Sequence, residues 1–374
     1  MGLLEWLNDC FKNVSISKPK PNPNPKFTSI QYDPSQHPFN DLTCKNTQPT
    51  TVCPVIPSPA SEECLYVILP YFNYCFYKRR KELFCQFVER ITTNPNICIV
   101  VVEAVERGES QQLTEADLPN TLCHIIIETD HRIWLKENLI NVAVTYLPPS
   151  WKYMAWIDAD LTFLNPNWAR ETISVLSGKG EDPKRRKLDV VQLFETCANL
   201  GPDGETFKTE KGFGFMYLTS GKPYTKTHKY GFWHPGFAWA CHRRAYEQMG
   251  GLIDWGILGS GDHHMALSLI KLANISHPGN IHENYAKRLK AFETRATGLR
   301  LGYISGQIQH HWHGRIEDRR YRERWDILTQ HKYDPDKDIY KTSNGVIQLT
   351  ISGLRMQPEI NEYFIGRQED RKEA

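Results

Sequence analysis

The chain has 374 residues, enough for one large domain or two ordinary ones with a full core. Its 45 basic and 43 acidic residues leave a net charge of +2, so no overall field draws it to nucleic acid or to an anionic membrane. No apolar run reaches the length of a membrane span, and the first residues lack the apolar core of a secretory signal. The ten cysteines contain no CxxC pair, and Cys85, Cys98 and Cys241 fall inside apolar patterns where a free thiol behaves as a small hydrophobe. A reducing compartment and no disulfide framework are therefore expected.

Met1-Gly2 resembles the start of a myristoylation site, but Trp6 stands where Ser or Thr is required. Leu3, Leu4, Leu7 and Phe11 share one face of a short amphipathic helix, so residues 1–14 are expected to dock weakly on a membrane or a protein partner. Residues 12 to about 62 are rich in Pro, Asn, Ser, Thr and Lys and read as an extended linker, which makes 1–62 a tail. The folded part opens with the apolar run Leu65 to Leu69, closed by Pro70. Phe76, Leu83, Phe84, Phe87, Val88 and Ile91 then recur at helical spacing. Ile97–Val102 and Cys123–Ile127 are further buried strands, and Leu135, Leu139, Val142 and Ala143 mark a second helix. Strands that are apolar throughout, separated by helices, predict a mostly parallel sheet covered on both faces, an α/β fold. No GxGxxG and no GxxxxGK[ST] occurs, so the usual phosphate-cradling loops are absent.

The fourth strand, Met154–Ile157, ends in Asp158-Ala159-Asp160. In an extended segment the two carboxylates point to the same side. They leave the carboxyl end of a buried strand, where open α/β sheets bind ligands. Such a pair repels itself unless a cation lies nearby, and hard oxygen ligands suit Mg²⁺ or Mn²⁺. Asn165-Pro166-Asn167 starts a helix over Trp168–Leu176, and Asp189–Leu193 is another strand. From Asn199 to Trp233 the chain is polar with weak periodicity, a long loop that is either a lid or a surface insertion. Gly259-Ser260-Gly261-Asp262 then enters a helix. Asp262 fits a helix cap and a rigidly held general base equally well. His310, His311 and His313 close the next strand. Extended geometry places His311 and His313 on one face, and one His added to an Asp-x-Asp pair gives a mixed set suited to Mn²⁺. A guanidinium among Arg315, Arg319 and Arg320 is able to meet a diphosphate, while Arg319 to Gln330 also reads simply as a solvated helix.

Together these blocks resemble the nucleotide-sugar-dependent glycosyltransferases of the GT-A fold. The marks are the α/β half ending in Asp158-Ala159-Asp160, the helix around Leu139-Ile140-Asn141-Val142, and the galactosyltransferase-like block Gly236 to Met265. The resemblance implies a Rossmann-like, mostly parallel sheet in one large catalytic domain over 63–332, with a nucleotide-sugar half (63–165), an acceptor half (166–332) and an extension over 333–374. It implies transfer of a sugar from a nucleoside-diphosphate sugar, expected to be UDP-linked, to a hydroxyl of a glycan or glycoconjugate, with inversion. Asp158 and Asp160 would bind Mn²⁺ or Mg²⁺ and the donor, with His313 or His310 as the nitrogen ligand. Asp262 would be the base. Pro70, Asn73 and Glu103 would line the base and ribose pocket, with Lys136 near the diphosphate. Trp233, Trp239 and His263 would meet the acceptor. The family's acidic turn usually carries Trp-Gly-Gly-Glu, and Gly259-Ser260-Gly261-Asp262 departs from it, which leaves the sugar and the stereochemistry open. The family's usual membrane anchor is missing, so a cytoplasmic enzyme of bacterial or viral type is expected. A metal-dependent phosphodiesterase or nucleotidyltransferase and an inactive carbohydrate-binding relative are the alternatives.

Overall fold

The first three apolar runs become neighbouring strands. The computed structural model describes residues 64–182, 187–226, 229 and 231–372; the expected tail, linker and docking segment over 1–62 lie outside the described residues. β1 (Leu65–Phe72), β2 (Ile97–Glu106) and β3 (Cys123–Thr129) pair in parallel, and β4 (Tyr153–Ile157) pairs parallel to the other edge of β1. α1 (Lys78–Ile91) and α2 (Lys136–Val144) make the crossovers. α1 buries Leu83, Phe84, Phe87, Val88 and Ile91, as their spacing demands. Phe76, expected on that stripe, instead precedes the helix at φ 53° and is 52% exposed.

Past the acidic pair come β5 (Leu161–Phe163), α3 (Trp168–Leu176), β6 (Val190–Gln192), β7 (Thr196–Leu200), β8 (Thr206–Gly212), α4 (Phe213–Thr219) and β9 (Trp233–His234). β10 (Ala238–His242), α5 (Arg243–Met249), α6 (Gly261–Leu269), α7 (Glu283–Ala296), β11 (Leu301–Tyr303), β12 (Gln307–His310) and α8 (Glu323–Gln330) follow. The chain closes with the hairpin β13 (Ile339–Lys341) and β14 (Ile347–Leu349), then α9 (Gln357–Gly366). The main sheet has the order β11-β6-β10-β4-β1-β2-β3, in which β10 alone runs against its neighbours. A second sheet, β5-β12-β7-β8-β9, packs beside it.

That second sheet corrects the reading of 199–233 as a long loop. β8 is exposed at most positions and buries only Glu210 and Gly212, so no apolar alternation announces it. A second correction concerns cysteine. Cys64 and Cys98 form a disulfide, with Cα atoms 6.4 Å apart. Strand register places them together: Tyr66 pairs with Cys98 across β1 and β2, two residues after Cys64. Spacing along the chain carries no trace of that contact.

The main sheet separates two apolar cores. Tyr66, Ile68, Val100, Val102, Met154, Trp156 and Trp239 face one, and Leu65, Val67, Leu69, Ile99, Val101, Ala155 and Ile157 face the other, the period-two alternation of strands. The first core also takes Val346, Ile347, Met356, Ile360, Tyr363 and Phe364, so the carboxyl-terminal extension is part of the packed structure. No described helix is long and apolar enough to cross a membrane.

Candidate active site

The carboxyl ends of β1 and β4 open into a cavity of about 510 Å³. Of the residues expected to act there, Pro70, Lys136, Asp158, Asp160, Asp262, His263, His310 and His313 line it. The others lie elsewhere. Asn73 holds the turn before α1, its Oδ1 accepting from the Tyr77 amide at 3.0 Å, and it also donates to Gln112 Oε1 at 2.9 Å. Glu103 accepts from the Gln112 amide at 2.6 Å and faces His124 at 3.0 Å. Trp239 is fully buried opposite Trp156, with Nε1 donating to the Pro235 carbonyl at 2.9 Å. Trp233 packs edge-on against Phe213 in the first core. Both tryptophans are core residues.

One end of the cavity gathers a carboxylate and two imidazoles. β12 stops at His310 and the chain turns, which breaks the alternation expected for an extended segment. His310 and His313 therefore converge, Nε2 to Nε2 at 3.3 Å, while His311 turns away to Thr162 Oγ1 at 2.8 Å. Asp160 Oδ2 lies 2.9 Å from His313 Nε2 and 3.7 Å from His310 Nε2. One donor atom from each of the three lies within 4.8 Å of the others. His310 Nδ1 meets Asn199 Oδ1 at 3.0 Å, and the Asn199 amide nitrogen donates to Glu210 at 3.0 Å. An amide oxygen only accepts, so this contact places the proton on Nδ1 and leaves Nε2 as a lone pair aimed at Asp160. Asp160 Oδ1 is buried and has no hydrogen-bond partner. Two imidazole nitrogens turned inward and an orphaned carboxylate oxygen make a mixed N/O set that fits a divalent cation. Burial would raise the Asp160 carboxyl, but His310 and His313 outweigh it and hold it well below the usual range. Burial, aided by the Arg319 charge, pushes His313 down to about 4. Arg319 Nη2 sits 3.0 Å from His313 Nε2, and its own Nε is buried without a partner.

The other end is closed by an ammonium group. Lys136 Nζ, at the first turn of α2, lies 2.6 Å from Asp158 Oδ1 and 2.8 Å from Asp262 Oδ2. Burial pushes Asp158 up to about 6, with Asp262 and Asp160 adding repulsion against the opposing pull of Lys136. Lys136 is raised well above its ordinary value: burial works against its charge, and Asp158 and Asp262 prevail. Burial raises the neighbouring Glu137 to about 8. Asp262 is the second residue of α6, after Ser260 in a left-handed conformation at φ 74°. Gly261 has to be glycine: a Cβ there would come within 2.2 Å of Glu137 Oε1. The Gly-rich turn thus lets α6 press its amino end onto α2, which brings Asp262 to Lys136. Phe237, also left-handed at φ 83°, accepts from the Asp158 amide at 2.8 Å and stacks on His234 at 4.1 Å. Strained backbone of this kind concentrates at functional sites.

Asn199, Arg80, Arg324, Arg367 and Glu369 join the cavity wall without having been singled out from sequence. Arg324 was expected on a solvated helix face. Instead its Nη2 donates to Ser260 Oγ at 2.8 Å. Glu369 and Arg367 come from the far end of the chain, and nothing local marks them.

No family model matches the chain, and no curated protein matches it. Among solved structures it is similar to a Drosophila β1,4-galactosyltransferase 7 mutant in complex with manganese, UDP-Gal and xylobiose, at 16% identity over 79% of this chain and 98% of that one, with a TM-score of 0.37. It is similar to mannosyl-3-phosphoglycerate synthase from Rubrobacter xylanophilus at 11% identity over 77% and 83% of the two chains, TM-score 0.37. A mannosyltransferase from Pyrobaculum calidifontis, in complex with GDP-Man and Mn²⁺, aligns at 15% identity over 74% of this chain and 64% of that one, TM-score 0.35. At such identities and scores no residue's role passes from those proteins to this one.

Proposed function

We propose that the protein is a metal-dependent glycosyltransferase of the GT-A type, moving a sugar from a nucleoside-diphosphate sugar, UDP-linked in the first instance, to a hydroxyl of a glycan or glycoconjugate. The observation that carries this reading is the convergence of Asp160, His310 and His313, with Asp160 Oδ1 left over, in the same cavity as Asp262.

Asp160, His310 and His313 would hold the cation, with Asp158 beside them. When bound, a divalent cation supplies the positive charge that a departing diphosphate needs. Arg319, beside His313, adds a guanidinium for the same phosphates. Lys136 takes Oδ2 of Asp262 and fixes the carboxylate's orientation, leaving Oδ1 for an acceptor hydroxyl. In transfer the acceptor oxygen bonds to the anomeric carbon, the bond from that carbon to the diphosphate breaks, and the hydroxyl proton passes to Asp262. A base on the face opposite the leaving group gives inversion. His263 lies on the acceptor side of Asp262 in this reading.

The test is release of nucleoside diphosphate from a panel of nucleotide sugars with and without Mn²⁺, followed by NMR of the anomeric product. Mn²⁺-dependent diphosphate release with inverted product upholds the reading. Nucleoside monophosphate or sugar phosphate as the product makes the protein a phosphodiesterase and sinks it.

A further inference from the structure

The segment after α9 returns to the cavity through specific contacts. α1 has no side-chain cap of its own; Asp370 supplies it, accepting from the Lys78 and Arg79 amides at 3.2 and 2.8 Å. Tyr77 Oη donates to the Ile365 carbonyl at 2.7 Å and accepts from the Gln368 amide at 3.2 Å. Trp312 Nε1 donates to the Arg371 carbonyl at 2.9 Å. Gly314 is crossed so closely that a Cβ there would lie 2.9 Å from the Gln368 carbonyl oxygen. These contacts deliver one carboxylate to the back of the cation cluster. Glu369 keeps 2% of its side chain exposed. Its Oε1 accepts from Arg80 Nη2 and from Arg367 Nε, both at 2.6 Å, and its Oε2 accepts from Arg80 Nε at 2.7 Å. Oε2 also faces His313 Nδ1 at 3.9 Å, an ion-pair distance beyond a hydrogen bond.

We propose that Glu369 is a positioning residue of the cation centre, acting through His313, and that the carboxyl-terminal segment is thereby a working part of the site. This rests on the reading that Asp160, His310 and His313 hold a divalent cation. For His313 to offer Nε2 as a lone pair, its proton has to sit on Nδ1, and a carboxylate on that side favours this arrangement, as Asn199 does for His310. Charge argues the same way. Arg80, Arg319 and Arg367 all line the cavity, and Glu369 is the carboxylate set against two of them beside His313. With Glu369 neutral, a dication at Asp160 meets three guanidinium charges.

The test uses the full-length chain, Mn²⁺ alone, and EPR of the free aquo-ion to obtain Kd. Glu369→Gln is expected to raise Kd about tenfold to a hundredfold. Arg80→Gln breaks the same ion pair but removes a cation, so its Kd is expected to fall. A bridge with only a structural role predicts that both variants weaken Mn²⁺ binding alike. That result, or an unchanged Kd in folded Glu369→Gln, overturns the proposal. Should Glu369→Gln fail to fold, Arg80→Gln decides: a lower Kd upholds the proposal and an unchanged or raised one overturns it. A wild-type chain that takes up no Mn²⁺ removes the cation reading itself, and this inference with it; tight wild-type binding that is indifferent to Glu369 removes only the inference.

Discussion

At one end of the cavity Asp160 meets two imidazoles, and at the other Asp158 and Asp262 meet one ammonium group. The carboxylates are alike in chemistry and differ in what answers their charge. Lys136 lies within hydrogen-bond reach of both neighbours and closes its end as a salt bridge. His310 and His313 bring imidazole nitrogens to Asp160 Oδ2 and leave Asp160 Oδ1 without a partner. The two carboxylates of Asp-x-Asp are therefore not equivalent: Asp160 faces two imidazoles and Asp158 an ammonium group.

The comparison can be broken most sharply at Asp160. Asp160→Ala is expected to abolish transfer at saturating Mn²⁺ while the fold persists, checked by diphosphate release alongside circular dichroism. Near-normal turnover would mean that the open end is not where the cation binds. Next comes Asp262→Asn, expected to slow transfer on the order of 10²–10⁴-fold while the Kd for Mn²⁺ is unchanged. A loss of metal binding in that variant would merge two ends that the geometry keeps apart. Lys136→Met probes the closed end. It leaves Asp158 and Asp262 facing each other unpaired and is expected to destabilise by about 3 kcal/mol, the low end for a broken buried pair, because Asp158 keeps 30% of its side chain exposed. Urea unfolding measures this, and an unchanged midpoint would show that the ammonium is not what holds that end.

The smallest effect is expected far from the cavity, at a carboxylate closed in yet another way. Asp189 accepts from Arg300 Nε and its amide, both at 2.8 Å, and meets His242 at 2.8 Å. Burial would raise its carboxyl, but Arg300 and His242 outweigh that and hold it well below the usual range. A depressed pKa means a contribution that is complete above the ordinary aspartate value, about 3.9, and lost as pH falls below it. Thermal unfolding followed from pH 6 to 2.5 should therefore show a shallower acid limb in Asp189→Asn than in the wild type. Parallel limbs would assign the acid sensitivity to other groups.

Much of this was legible before any coordinates. Strands buried on both faces announce themselves as apolar runs; the histidines stand out because three in four residues at a strand end are hard to place in a core, whereas Asp262 fits a helix cap as well as it fits a base. Which histidines pair did not follow, because the turn after His310 cancels strand alternation. Asn199 was hidden in a stretch whose strands carry almost no apolar period. Lys136 was placed near the phosphates by resemblance, but its position between two carboxylates depends on α6 meeting α2 through Gly261. Asn73 follows β1 as expected, whereas β2 runs on past Glu103 to Glu106, and both side chains are taken up by Tyr77, Gln112 and His124. The contact of Glu369 with Arg80 joins residues 289 positions apart, and no window of sequence contains both partners.

The disulfide has a practical bearing on how the molecule can be handled. Cys64 precedes β1 at the edge opposite the one that opens into the cavity. The eight residues of β1, at about 3.3 Å each, set the two edges about 26 Å apart. An affinity tag or surface tether joined directly at Cys64 sits at the edge away from the cavity, on a residue pinned to β2. The same attachment made after Arg371 pulls on the strand of chain that forms the cavity wall, so immobilisation from the carboxyl side is expected to disturb the centre that immobilisation from the amino side leaves alone.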